Sequence, residues 1–298
     1  MKTIKQFLAE IKRGDFLPLA RVLTMVENDL VGSKELLQEI QSNQDVPVIG
    51  ITGPPGAGKS TLVNAMIEKL VLQGKKIAVL AVDPTSPFNL GSLLGDRIRM
   101  SAHFNKPGVF IRSIATRGSV GGLSARIIEM VDVLRAADFD YVIVETVGVG
   151  QSEIEIAGLA DLTIVVLVPE AGDEIQHIKS GLMEIGNVFV VNKADRDGAL
   201  SFANNLTKML HQRKVAVPVF KTVADKNIGV DELLSWIANT RGEDKKRRLF
   251  LYTEKAFKLI QQARMKNVEK ADLQIKISEA IDHKEFNLYQ FVKQYDKF

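Results

Sequence analysis

Two rhythms of apolar and polar positions alternate along this chain. Ile4, Phe7, Leu8 and Ile11 recur at helical spacing until Gly14-Asp15 breaks the pattern. Leu19, Val22, Leu23 and Val26 repeat it in a second helix from about Leu17. Ser33 is the expected cap of a third helix, Lys34 to Ile40. Ser42-Asn43-Gln44-Asp45 reads as a linker. From residue 46 to about residue 240, short apolar runs alternate with longer amphipathic ones. The runs 46–52, 76–82, 108–113, 140–145, 162–168, 187–191 and 217–221 predict strands, and 59–73, 121–137, 173–185, 198–213 and 230–239 predict helices. Apolar strands joined by crossover helices predict a mostly parallel sheet covered on both faces. Residues 241–298 predict a second helical region. Its opening Lys245-Lys246-Arg247-Arg248 reads as a solvated helix start. Phe250, Leu251, Phe257, Ile260, Ile275, Ile277, Phe286 and Phe291 are too apolar for a disordered tail, so they are expected to pack on the preceding domain or at a subunit contact.

Composition changes this picture little. The 298 residues are 46% hydrophobic and 25% charged, ordinary for a globular chain, and suffice for one large domain with additions. A net charge of +3 makes no case for nucleic acid or membrane surfaces. No apolar run approaches a membrane span. Met1-Lys2-Thr3-Ile4-Lys5-Gln6 leads straight into a helical pattern and lacks a signal-peptide apolar block. Cysteine is absent, which removes disulfides and thiolate metal sites and suits a reducing cytoplasm.

Chemistry enters at the ends of the predicted strands, where ligands sit in parallel sheets. Gly53-Pro54-Pro55-Gly56-Ala57-Gly58-Lys59-Ser60 fits the phosphate-binding pattern G-x-x-x-x-G-K-[ST] between an apolar strand and a helix. Backbone N–H groups at Gly56, Gly58 and Lys59 would cradle phosphate oxygens, and Gly53, Pro55 and Ala57 complete the nucleotide-binding loop. Lys59 would reach the β- and γ-phosphates, Ser60 would bind Mg²⁺, and Thr61 is placed at the α-phosphate. The expected fold class is therefore α/β, a P-loop NTPase with a mostly parallel sheet flanked by helices and with N- and C-terminal helical extensions. The expected domains are 1–43, 44–240 and 241–298, the last a candidate for dimerisation.

Asn192-Lys193-Ala194-Asp195 ends another apolar run. A carboxylate at Asp195 can accept from guanine N1–H and its amine, whereas adenine would leave it unpaired. Thr222-Val223-Ala224 stands where a backbone N–H can meet guanine O6, with Val223 in place of the usual Ser. Together these runs point to GTP and GDP.

Tyr141-Val142-Ile143-Val144-Glu145 ends in an acid able to hold Mg²⁺ through water, and the Gly148 N–H can read the γ-phosphate. Many GTPases place a water-orienting Gln directly after that glycine. Here Val149 stands there and Gln151 follows two residues later, so Gln151 is either a water-orienting group or a cap of the next helix. Asp83, in Asp83-Pro84-Thr85-Ser86-Pro87, lies at the site's edge and is a candidate for Mg²⁺ or the attacking water. Asp96 is a candidate helix cap and Mg²⁺ partner. Histidines 103, 177, 211 and 283 show no paired ligand spacing.

Several strings together resemble the methylmalonyl-CoA mutase-associated GTPases of the MeaB (ArgK) type, a branch of the P-loop GTPases. They are Gly53 to Ser60, Val82 to Pro87, Gly95 to Met100, Thr116 to Leu123, Glu145 to Glu153 and Ala171 to Glu174. The resemblance runs from about residue 5 to about residue 240 and continues into the C-terminal helices. It implies a GTP-hydrolysing chaperone that gates cofactor loading and protection of an adenosylcobalamin-dependent acyl-CoA mutase. It makes Asp83, Asp96 and Glu145 the Mg²⁺ and switch acids. Residues 169–183 become an extra switch, with Asp173, Glu174, Gln176 and Lys179, the last linking nucleotide state to the mutase. A homodimer through the C-terminal helices is also implied. Some relatives act across a dimer with an early P-loop lysine; Pro54 occupies that place here. A metabolite kinase linked to basic amino-acid transport, and a nickel metallochaperone GTPase, are the alternatives. The guanine signature weighs against the first and the missing cysteines against the second.

Overall fold

A computed structural model of the chain describes residues 3–83, 100–115, 126–146, 152–172, 181–212, 217–240, 245–265, 268–282, 286–293 and 295. The first helix, α1 (Ile4–Lys12), starts on a capping box: Gln6 N–H donates to Thr3 Oγ1, and Thr3 N–H donates to Gln6 Oε1. α2 (Phe16–Glu27) and α3 (Ser33–Glu39) follow. The cap of α3 differs from expectation. Gly32, at φ 89, is the N-cap, and Ser33 is the first helical residue, its hydroxyl 3.2 Å from Asp29 Oδ1. The entry turn needs a left-handed residue, which glycine adopts without a Cβ penalty.

Among the described residues seven strands form one parallel sheet: β1 (Val48–Thr52), β2 (Ile77–Asp83), β3 (Val109–Ala115), β4 (Tyr141–Glu145), β5 (Leu162–Leu167), β6 (Val188–Val191) and β7 (Val219–Lys221). Their order is β3-β2-β4-β1-β5-β6-β7, with every pairing parallel. The helices that cover it are α4 (Lys59–Leu72), α5 (Ile127–Arg135), α6 (Ser152–Leu159), α7 (Gly181–Ile185), α8 (Ala199–Gln212) and α9 (Val230–Asn239).

Alternation along each strand sorts the apolar residues between two faces. Ile49, Ile51, Val79, Ile143 and Ile164 pack with Leu62, Met66 and Leu70 of α4 and Leu233 of α9. Val48, Leu80, Val142 and Val144 pack on the opposite face. There they meet Met130 and Leu134 of α5 and Ile11, Leu19, Leu23 and Leu36 of the first three helices. The N-terminal helices thus share the sheet's core. Arg112 of β3 anchors α2 by donating to Ala20 O, Thr24 Oγ1 and Glu27 Oε2, and Phe16 stands against Phe110 and Phe139. A buried Arg135–Asp161 ion pair draws residues 44–48 onto the sheet: Arg135 also donates to Val46 O and Gln44 Oε1, and Asp161 accepts from Val48 N–H.

Residues up to Asp244 make one compact unit and Lys245–Phe298 a second. The second consists of α10 (Lys245–Arg264), α11 (Lys270–Asp282) and α12 (Leu288–Lys293) around an apolar cleft of about 550 Å³, lined by Phe257, Ile260, Leu273, Ile277 and Phe291 among others. Leu249, Phe250, Phe257 and Ile275 stay exposed. No described helix is long and apolar enough to cross a membrane.

Candidate functional site

The site grows from the carboxyl end of β1, which lies between β4 and β5 at the centre of the sheet. The chain leaves β1 at Gly53, whose φ is 140; a Cβ there would fall 2.1 Å from the Val166 carbonyl oxygen of β5. Only glycine tolerates both the dihedral and the contact. At the other end of the loop Gly58 caps α4 in the left-handed region, and a Cβ would meet Asn192 Nδ2 at 2.3 Å. Pro55 and Gly56 are exposed at the loop's tip, Ala57 is buried beneath it, and Thr61 is exposed on the first turn of α4.

Lys59 and Ser60 are both buried, and their polar ends converge on the loop. The Lys59 ammonium donates to the Gly53 carbonyl at 2.9 Å and the Pro54 carbonyl at 3.1 Å. The Ser60 hydroxyl donates to Glu145 Oε1 at 2.6 Å, a short charge-assisted bond. The strand order makes that bond, since Glu145 ends β4 and lies in register with Ile51 of β1 and Ala81 of β2. Beside it Thr146 N–H donates to Ile51 O, and its hydroxyl donates to Thr52 Oγ1 at 3.0 Å. Asp83 closes β2 two residues beyond Ala81, in register with Ala115. Its side chain lies outside the described residues, as do Asp96, Gly148, Gln151, Asp173, Glu174, Gln176 and Lys179.

The second motif closes over the first. Asn192, at the end of β6, is 2% exposed, and its amide donates to the Ala57 carbonyl at 3.0 Å. Its Oδ1 accepts from Thr222 Oγ1 at 3.0 Å and Ala224 N–H at 3.2 Å. One side chain therefore joins the phosphate loop, the Asn-Lys-x-Asp turn and the segment after β7. Lys193, at φ 54, adds a bond from its ammonium to Gly56 O at 2.8 Å. Val223 is buried and bridges to Ile228.

The rim carries alternating charges. Asp195 Oδ2 accepts from Lys226 Nζ at 2.8 Å, and Arg196 pairs with Glu170. The Lys226 hydrogen bond holds the Asp195 carboxyl below its ordinary range, and Arg196 does the same for Glu170. Asp195 in turn raises the Lys226 ammonium. Sequence reasoning did not single out Thr52, Thr146, Arg196 or Lys226, and gave Thr222 no role of its own. All are unremarkable in sequence and acquire partners only across the sheet. Replacing Asn192 with alanine is expected to lower unfolding stability by about 2 kcal/mol, because it strands a buried hydroxyl, an N–H and a carbonyl together. A urea titration checks this as a lower midpoint at unchanged slope; a shift under about 0.5 kcal/mol would show that Asn192 is no hub.

Among the described residues no group of three or more His, Cys, Asp and Glu side chains is arranged to hold a metal. His103 is buried, and burial pushes its pKa down.

Comparison with known proteins adds three findings. The family model described as methylmalonyl Co-A mutase-associated GTPase MeaB matches residues 19–274. A putative GTPase of Pyrococcus abyssi is 46% identical over 246 residues, 80% of this chain and 76% of that protein, and the GTPase ArgK of Escherichia coli is 40% identical over 206 residues, 67% of this chain and 62% of that one. The crystal structure of an LAO/AO transport system kinase superposes with a TM-score of 0.68 at 27% identity, covering 99% of this chain and 97% of that one.

Proposed function

From the premise that the chain belongs to the methylmalonyl-CoA mutase-associated GTPases of the MeaB type, and is a P-loop GTPase that binds GTP and GDP, we propose that it is a switch whose nucleotide state is read by an adenosylcobalamin-dependent acyl-CoA mutase. The observation that carries this reading is the single constellation in which Ser60–Glu145 and Asn192–Ala57 tie the phosphate loop to both a metal-type acid and a guanine-type turn.

Lys59 exchanges its bonds to the Gly53 and Pro54 carbonyls for phosphate oxygens of GTP. The first turn of α4 presents backbone N–H groups and the positive end of its dipole to the same phosphates. Asp195 reads guanine N1–H and the amine, and the Ala224 N–H is the candidate donor to O6. The residues present fit Mg²⁺: the Ser60 hydroxyl and the Glu145 carboxylate are hard oxygen donors 2.6 Å apart at the head of α4. This ion takes few protein ligands and relies on substrate phosphates and water for the rest. Ser60 and Glu145, with Asp83 and Asp96, would hold it, and it would supply neutralisation of phosphate charge. Glu145 opens the proposed switch 145–153, so a change at the γ-phosphate passes to that stretch and, through the proposed extra switch 169–183, to the partner.

The mutase assignment draws on the family's description, and the homodimer assignment on the exposed apolar side chains of α10 and α11. Gating of cofactor loading is the output that suits such a switch. The test is the GTPase rate with and without an adenosylcobalamin-dependent mutase, together with capture from native extract using GDP and a non-hydrolysable GTP analogue. An unchanged rate and no mutase binding at micromolar protein would sink the reading. The likeness to an LAO/AO transport system kinase makes phosphate transfer from labelled GTP to a metabolite the second arm of the same assay.

A further inference from the structure

Asp195 must offer both carboxylate oxygens to guanine, yet it sits on an exposed turn where a free carboxylate would swing. Two cations flank it, and the structure separates their roles. Arg196, its neighbour in sequence, is engaged with Glu170. Lys226, distant in sequence, makes the bond to Asp195. The root of Lys226 is fixed from several sides. It ends a 3₁₀ turn, Ala224–Lys226, that begins at the Ala224 N–H bonded to Asn192. The next residue, Asn227, at φ 56, donates to Glu68 Oε2 of α4 at 3.0 Å. The Val223–Ile228 bridge closes the loop across its base. A flexible side chain on a pinned turn thus reaches across to the one carboxylate that chooses the base.

We infer that Lys226 is a positioning residue for guanine specificity: it orients Asp195 before the nucleotide arrives and stays on Oδ2 while guanine takes the carboxylate's remaining acceptor sites. A carboxylate has about four lone-pair sites, so an ammonium and two guanine N–H groups fit together without displacement. The ion pair also holds the Asp195 carboxyl below its ordinary range. This inference rests on the guanine-reading role proposed for Asp195.

The experiment is a double-mutant cycle on the full chain, with GDP affinity measured by competition against a fluorescent analogue. Lys226→Met is expected to weaken GDP about threefold, the scale set by an exposed pair, and Lys226→Arg to restore it. The loss should shrink at high salt, where such pairs are screened. In an Asp195→Ala background Lys226→Met should add nothing, because its effect passes through that carboxylate. The preference for GDP over IDP, which lacks the 2-amine, should fall in Lys226→Met. Equal or tighter GDP binding by Lys226→Met, with Asp195→Ala still weakening it, would overturn the inference and leave the base contact standing. The same loss in the Asp195→Ala background would also overturn it. Asp195→Ala without effect on GDP would overturn the base contact and the inference together.

Discussion

Replacing Lys59 with alanine is expected to abolish GTP turnover, lowering kcat/KM by about a thousandfold or more, the scale of removing a charged donor that faces developing phosphate charge. The geometry among the described residues suits Lys59 to that role. Lys59 is 7% exposed, its stem is enclosed at the head of α4, and its ammonium already lies on the loop carbonyls that frame the phosphate position. Lys193, a nearby cation, is bonded to Gly56 O on the loop's outer side. Lys59→Met separates charge from packing, since it keeps most of the buried stem; it should lose turnover as fully as alanine while unfolding closer to the unsubstituted chain. Phosphate release and urea unfolding measured on the same preparations check both halves. Turnover within tenfold of the unsubstituted chain would show that Lys59 does not act on the γ-phosphate.

Asp195→Asn is expected to weaken GTP about a hundredfold and to shift preference toward xanthosine triphosphate. Two charge-assisted hydrogen bonds to guanine are lost, each worth roughly tenfold. The amide nitrogen then points a donor where guanine presents its amine and xanthine a carbonyl. The substitution also deprives Lys226 of its carboxylate, leaving a second donor on the rim that suits the xanthine carbonyl. Competition binding with both nucleotides reads the shift directly. Unchanged GTP affinity would contradict the base contact, whatever the fate of Lys59.

Lys59 was legible from eight consecutive residues, because a strand that stops at glycine and resumes as a helix leaves one place for the ammonium. Asp195 was legible for the same reason at the end of β6. Its partner was not: Lys226 lies in an ordinary polar turn, and only the parallel pairing of β6 with β7 brings that turn alongside. Ser33 shows the opposite failure. A serine before a helical pattern is a sound capping signal, but the turn required a left-handed residue, which Gly32 supplied.

The N-terminal helices make the same point about packing. Their apolar spacing was plain, yet no local pattern says what that stripe faces. In the fold it is one face of the sheet, reached through Leu19, Leu23 and Leu36 and tied by Arg112. By itself the sequence determined the alternation of strand and helix, the phosphate loop, the guanine-type turn and the family, because each depends on neighbours within a few residues. Tertiary structure alone decided that Ser60 meets Glu145, that Asn192 locks the phosphate loop to two other segments, and that Lys226 rather than Arg196 holds Asp195. Those contacts follow from the order β3-β2-β4-β1-β5-β6-β7, which sets side by side chain ends that no local spacing relates.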